Sequence, residues 1–285
     1  MRPRVLLDGL AMPESPRWHD GRLWFSNWGT RQIVAVGLDG DSDVVGEGPD
    51  GLGWATNWLP DGRMLVTGPE LIRVEPDGSR VRHADLGHIS PLGWSEITVD
   101  GRGNLYVNTI NFDFGQFNEV LTSGEAPGKI ALVTPDGETR EVANELAFPN
   151  GMVVTPDNKT LVVSESFATR LTAFDIANDG SLSNRRIWAD GVGPDGICID
   201  ADGCIWTSGA SMANDCIRVR EGGEVLERIE LGHPCFATML GGPARRTLFM
   251  LTADWRGTGG VEDVIKARTG QVLVADVSTA GVGWP

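Results

Sequence analysis

A turn followed by a short apolar strand recurs six times along this chain, and this repeat limits the possible folds more than any other feature. The copies read "HDGRLWFSN", "PDGRMLVTG", "GRGNLYVNT", "PDNKTLVVSES", "DADGCIWTSG" and "PARRTLFMLTA". The first core residues of these strands are Leu23, Met64, Leu105, Leu161, Ile205 and Leu248, which lie 41, 41, 56, 44 and 43 residues apart. An all-β period of about 40 residues is the size of one four-stranded propeller blade.

A second strand type alternates with the first, as in "VAVGLDG", "IRVEPDG" and "ALVTPDG". The sequence therefore predicts an all-β, six-bladed β-propeller with four antiparallel strands per blade, filling residues 1–285 as a single domain. The N-terminal "RVLL" is expected to pair with the C-terminal "VLVADV", which closes the ring and protects a free sheet edge. A β-sandwich is the alternative, but regular recurrence argues against it.

The third period is longer than its neighbours, and the excess falls in residues 111–129. A long insertion of this kind is either a lid over one face of the ring or a surface excursion, and the sequence leaves both open.

Composition limits the kinds of partner. The net charge of -15 and a pI near 4.6 repel a polyanion, so we expect a small-molecule substrate and no nucleic acid. No apolar run has the length of a membrane helix or of a secretory signal, so we expect a cytoplasmic protein that does not bind membranes. Cys198, Cys204, Cys216 and Cys235 lack metal-site spacing and are predicted to be small buried residues rather than disulfides or metal ligands.

Polar residues head the predicted inner strands in a shared register. Asn150, Asp195 and Ser95 each lie seven residues before the equivalent turn position, and Glu14 lies six before a turn that is one residue shorter. Four blades are therefore expected to direct polar side chains to one level of the central channel. Asn-Gly and Asp-Gly are also ordinary turn formers, which is the competing interpretation of the pairs that begin at Asn150 and Asp195.

Convergent oxygens in a partly desolvated channel are costly unless a cation compensates them. Glu14, Asn150 and Asp195 form an all-oxygen set suited to one divalent ion, with Ca²⁺ as the first candidate and Mg²⁺, Mn²⁺, Zn²⁺ or Fe²⁺ as alternatives.

Three stretches resemble a known family. "MPESPRW" with "GRLWFSN", "FPNGMVVTPDNKTLVVSES" with "LTAFDI", and "GPDGICIDADGCIW" are similar to successive signatures of the senescence marker protein/gluconolactonase/luciferin-regenerating enzyme family. The resemblance implies a six-bladed propeller with one catalytic divalent metal and lactone hydrolysis as the commonest activity. It also implies that Glu14, Asn150 and Asp195 bind the metal, and that Asp195 is the general base.

The chain departs from the family pattern in places. Ser95-Glu96 replaces the usual Asn-Asp pair, and Asn27 and Asn57 stand where aspartates are common. These changes predict a less negative channel.

The leading hypothesis is therefore a gluconolactonase-like, metal-dependent hydrolase of a small lactone or related cyclic ester. In it Asp195 takes a proton from water, and Ser95 and Asn108 orient substrate hydroxyls. Phosphoester hydrolysis, isomerisation or cyclisation in the same channel is the first alternative, and a non-catalytic propeller scaffold is the second.

Overall fold

Six four-stranded antiparallel sheets are formed by the residues that the computed structural model describes, which are 2–210, 213–255 and 261–283. The innermost strands of neighbouring sheets contact one another in sequence, and the last contacts the first, so that the sheets form a closed ring of blades. The predicted six-bladed propeller is confirmed.

The strands are short and follow one another with brief connections. In chain order they are β1 (Arg4–Leu10), β2 (Pro13–His19), β3 (Arg22–Asn27), β4 (Gln32–Val36), β5 (Ser42–Glu47), β6 (Thr56–Trp58), β7 (Met64–Val66), β8 (Leu71–Val74), β9 (Arg80–Ala84), β10 (Ile97–Val99), β11 (Leu105–Thr109), β12 (Gly128–Val133), β13 (Thr139–Leu146), β14 (Pro149–Val154), β15 (Thr160–Glu165), β16 (Arg170–Ile176), β17 (Leu182–Asp190), β18 (Cys198–Ile199), β19 (Ile205–Ser208), β20 (Asp215–Val219), β21 (Val225–Glu230), β22 (Cys235–Gly241), β23 (Thr247–Thr252) and β24 (Gly270–Asp276).

Five blades are built from consecutive strands, and the sixth closes the ring. Its order is β22, β23, β24 and then β1, so the N-terminal strand supplies the outer edge. Arg4 lies opposite Val274 and Val5 opposite Leu273 in this antiparallel pair. The predicted pairing of "RVLL" with "VLVADV" is confirmed.

Helical structure is limited in the described part of the chain. The helices are α1 (Phe117–Ser123) and α2 (Val261–Ala267), and the 3₁₀ turns are Trp28–Thr30, Phe114–Gln116 and Ser166–Ala168. Neither helix has the length and apolar character needed to cross a bilayer.

The core lies between blades, and this explains the strand patterns. The strands near the channel have a neighbouring blade on each face, so Leu248 to Leu251 of β23, the second strand of its blade, are all buried. Outer strands face solvent and carry exposed residues such as Val44 on β5. The four cysteines are free and buried, as predicted.

Candidate functional site

One large cavity, with a volume of about 770 Å³, lies where the inner strands begin. Glu14, Ser95, Glu96, Asn150 and Asp195 all line it. Glu14 lies on β2 and Asn150 on β14. Ser95 and Glu96 lie just before β10, and Asp195 lies just before β18. Four blades therefore contribute polar side chains to one cavity, while the roles assigned to these residues stay predictions.

β-Bulges occur at two of these positions. The register of the β2–β3 pair shifts between Glu14 and Arg17, and that of the β14–β15 pair shifts between positions 149 and 152. Ser15, inside the first bulge, has a φ of 52°, a region that residues with a side chain rarely occupy. Because a bulge bends the strand and redirects a side chain, Glu14 and Asn150 depart from the regular alternation of their strands.

The glycines after Asn150 and Asp195 allow close packing and do not form turns. Gly203, in a true hairpin turn, has a φ of 76°, but Gly151 and Gly196 both lie outside the positive-φ region. A Cβ on Gly151 would lie 2.8 Å from the Asp195 carbonyl oxygen, which accepts a 3.2 Å hydrogen bond from the Gly151 N–H. The competing turn interpretation of both pairs is therefore wrong.

The electrostatics of the cavity favour a bound cation. Burial raises the pKa of Glu14 well above its ordinary value, and the negative charges of Asp195 and Glu96 raise it further. Burial, followed by the charge of Glu96, raises the pKa of Asp195 to about 8, and the Asn150 side chain opposes this effect in part. A bound cation would compensate the negative charges of these neighbouring carboxylates and so favour their ionised forms.

Glu96 lines the cavity, although in the sequence it was only a departure from the family pattern. Its Oε2 lies 2.9 Å from Arg17 Nη2, and its Oε1 accepts a hydrogen bond from Ser15 Oγ. Contacts with Arg17 and Ser15 therefore hold the Glu96 side chain in place in the cavity that Glu14 and Asp195 also line. The signal that could have identified it is its position, since it occupies the acidic half of the Ser95-Glu96 pair in the shared register.

Asn108 is fully buried and is absent from the cavity lining. Its Oδ1 accepts a hydrogen bond from the Glu96 backbone N–H at 3.1 Å, and its Nδ2 donates to the Asn150 carbonyl at 2.6 Å. The structure thus places Asn108 behind two cavity residues, which it holds in position. Direct contact between Asn108 and a substrate stays a prediction.

The amides Asn27 and Asn57 do not line the cavity, and the expectation of a less negative channel stays a prediction. Both are buried and absent from its lining. Asn27 Oδ1 accepts from the Ala11 N–H at 2.9 Å, and Asn57 Oδ1 accepts from the Trp58 N–H at 2.8 Å. Their amides satisfy backbone groups near the strand ends.

The insertion at 111–129 lies over the cavity rather than away from it. It contains α1, and Phe112, Phe117 and Leu121 from this segment line the cavity. Of the two interpretations left open by the sequence, the position fits a lid.

The chemistry of the donors fits a divalent cation. Asp195 Oδ1 is buried and has no hydrogen-bond partner in the described part of the chain. Within those same residues, no group of three or more His, Cys, Asp or Glu is arranged to hold a metal, so the set would combine two carboxylates with one amide. Oxygen donors of this kind suit hard cations such as Ca²⁺.

Known proteins resemble the chain at low identity. A diisopropyl-fluorophosphatase of Loligo vulgaris is 23% identical over 63% of this chain and 61% of its own length. The pentonolactonase XacC of Haloferax volcanii is 23% identical over 74% of this chain and 77% of its own length. The matches to the first curated relatives span between 45% and 61% of those proteins' lengths.

A solved structure of a calcium-binding protein, regucalcin, from Agrobacterium tumefaciens has the same fold. It superposes with a TM-score of 0.80 at 19% identity, covering 99% of this chain and 96% of that one.

The model of a family described as "SMP-30/Gluconolactonase/LRE-like region" matches residues 12–254. The match includes all the blades' inner strands and every cavity residue discussed above, so the chain belongs to the SMP-30/gluconolactonase/LRE-like family.

Proposed function

We propose that this protein is a divalent-cation-dependent hydrolase of a small lactone or related cyclic ester. The observation that carries the proposal is the meeting of Glu14, Asn150 and Asp195 in one cavity, where burial and like charge raise the pKa of both carboxyl groups. Relatives named as lactonases, including XacC, support the reaction class.

Glu14, Asn150 and Asp195 would hold the cation, and Ca²⁺ is the first candidate because all three donate oxygen. A cation at this position polarises an ester carbonyl and stabilises the negative charge that develops on its oxygen. The relative named regucalcin, described as calcium-binding, supports this choice of ion.

Asp195 is the proposed general base. A cation held there would lower the pKa of Asp195 from about 8 and favour its ionised form. Its carboxylate can then accept a proton from the water that attacks the carbonyl carbon. Glu96 forms an ion pair with Arg17, and Asn108 holds the Asn150 backbone in place.

Replacing Asp195 with asparagine tests the assignment. We expect Asp195→Asn to lower kcat on lactones by about 100-fold or more, because it removes the base while keeping the side-chain size. Asp50→Asn is a matched control, since Asp50 also lines the cavity but is exposed and paired with Arg31. The measurement is lactone hydrolysis followed by a pH indicator, with a thermal melt to check folding. Near-normal turnover by folded Asp195→Asn would refute the role of this residue.

Hydrolysis of a neutral phosphorus ester is the second candidate. The relative named diisopropyl-fluorophosphatase favours it, and so does the absence of Lys, Arg and His among the described lining residues, so that no side chain there would pair with the extra negative charge of a phosphate dianion. Adding a neutral phosphotriester such as paraoxon to the substrate panel separates the two activities.

A further inference from the structure

Apart from the polar end that holds Glu14, Asn150 and Asp195, the cavity is lined mainly by apolar side chains. Most of the chain's phenylalanines line it, although aromatic residues make up only 7% of the sequence. We use the term phenylalanine wall for Phe112, Phe117, Phe148 and Phe167. Within it the rings of Phe148 and Phe167 stack with centroids 4.5 Å apart, and Phe117 meets Phe167 edge-on at 4.8 Å. Rings held against one another in this way form a fixed apolar surface.

Three separate parts of the chain build the phenylalanine wall. Phe112 and Phe117 come from the insertion at 111–129, Phe148 immediately precedes β14, and Phe167 lies in the 3₁₀ turn Ser166–Ala168. Phe148 and Asn150 are only two residues apart, so the wall adjoins the proposed cation ligands. A substrate whose carbonyl lies at the polar end would therefore have its substituent against these rings.

Several hydroxyl groups of the cavity are already engaged. Ser166 Oγ donates to the Pro194 carbonyl at 2.8 Å, and Ser208 Oγ donates to the Gly193 carbonyl at 2.6 Å. Their protons are therefore not available to a substrate. These two groups therefore cannot donate to a ligand that carries many hydroxyls, and each ligand hydroxyl that lost water without gaining a partner would be costly.

The charged lining disfavours anionic ligands. Its ionisable side chains are carboxylic, from Glu14, Asp50, Glu96, Asp113 and Asp195, and the described lining residues include no cationic side chain. No cationic side chain of the described lining is therefore available to pair with a carboxylate or phosphate on the substrate.

We propose that the substrate is a neutral cyclic ester with an alkyl or aryl substituent that packs on the phenylalanine wall, rather than a polyhydroxylated sugar lactone. This inference rests on the hydrolase function proposed above. It assigns the wall to substrate selection and the carboxylate end to the reaction.

The test compares three six-membered lactones: δ-valerolactone, its pentyl derivative δ-decalactone, and glucono-δ-lactone. Each buried methylene is worth roughly fourfold in affinity, so we expect kcat/KM for δ-decalactone to exceed that of the other two by about tenfold or more. Equal values, or a preference for glucono-δ-lactone with measurable turnover, would overturn the inference while leaving the hydrolase function in place.

Substitutions on α1 test whether the preference for δ-decalactone arises at the cavity wall. Phe117→Ser and Leu121→Ser, both on α1, should lower the ratio of kcat/KM for δ-decalactone to that for δ-valerolactone by about threefold or more. Ile187→Ser is the matched control for Leu121, because Ile187 is 56% exposed on the outer strand β17, Leu121 is 46% exposed, and only Leu121 lines the cavity. The same change of ratio in all three variants would contradict the assignment.

Binding of lactams, which resist hydrolysis, separates substrate class from activity. The probes are piperidin-2-one and 6-pentylpiperidin-2-one, measured by quenching of tryptophan fluorescence, since Trp28, Trp54 and Trp94 line the cavity. The pentyl lactam should bind about tenfold more tightly than piperidin-2-one, and Phe117→Ser should weaken this preference. That result supports the apolar site even if no lactone is hydrolysed. A lack of lactone hydrolysis would then count against the hydrolase proposal alone. Equal binding of the two lactams overturns the inference.

Discussion

Gly151 shows how a single residue positions the candidate site. It lacks a Cβ where one would meet the backbone of the next inner strand, and its N–H bonds to the Asp195 carbonyl. This contact holds Asn150 and Asp195, from two different blades, at one level of the channel. The sequence pair Asn-Gly is typical of turns, so only the shared register of several blades indicated another role.

Replacing Gly151 with alanine should destabilise the protein by about 2 kcal/mol or more, because backbone atoms of the neighbouring strand must move to admit a methyl group. Gly232→Ala is the control, since Gly232 has no atom within 4 Å of an added Cβ and no positive φ. The measurement is the free energy of unfolding from denaturant titration. Equal values for the two variants would mean that close packing at Gly151 is not required.

At the same scale, some residue assignments could not be derived from sequence. His19 comes directly before the turn at Asp20-Gly21, yet its ring stacks on Trp58 with centroids 4.0 Å apart, and burial lowers its pKa. Asn108 was expected to orient substrate hydroxyls, which stays a prediction, and its partners in the structure are backbone groups that sequence spacing does not reveal.

At the scale of elements, the repeat made the strands predictable because each blade buries the same pattern between its neighbours. The wall of the cavity was less predictable, since it is built from α1, a 3₁₀ turn and the residues before β14, none of which follows the period. Phe112 and Phe114 of the insertion at 111–129, one of whose two sequence interpretations was a lid, line the cavity. Phe148 and Phe167 join them only because the blades bring these segments together.

The strand β1 is the element whose loss should matter most to ring closure. A chain that lacks residues 1–10 should melt at least several degrees lower and associate, because β24 then has an unpaired edge. A chain that lacks only residues 1–3 keeps β1 whole and is the control. Thermal melts with sedimentation measurements would show this, and equal melting temperatures for both truncated chains would argue against closure by β1.

For the whole molecule, the ring explains how carboxylates from different blades come to share one cavity, and why the cation-free protein should respond to pH. The pKa of Asp195 is raised from 3.8 to about 8, so its contribution to stability is present below about 3.8 and is lost as pH rises through about 8. A cation favours the charged carboxylate. The stabilisation by added Ca²⁺ should therefore be larger at pH 8 than at pH 5.

Calorimetric titration of chelator-treated protein with Ca²⁺ at pH 8 tests most directly whether Glu14, Asn150 and Asp195 hold a cation. We predict one site per chain in the wild type and in Asp50→Asn, with a loss of at least about tenfold in affinity in Asp195→Asn and in Glu14→Gln. Mg²⁺ and Mn²⁺, titrated in the same way, would identify another preferred ion. Binding that is unchanged by both substitutions, or lactone hydrolysis that continues at full rate in protein free of any divalent ion, would contradict the account.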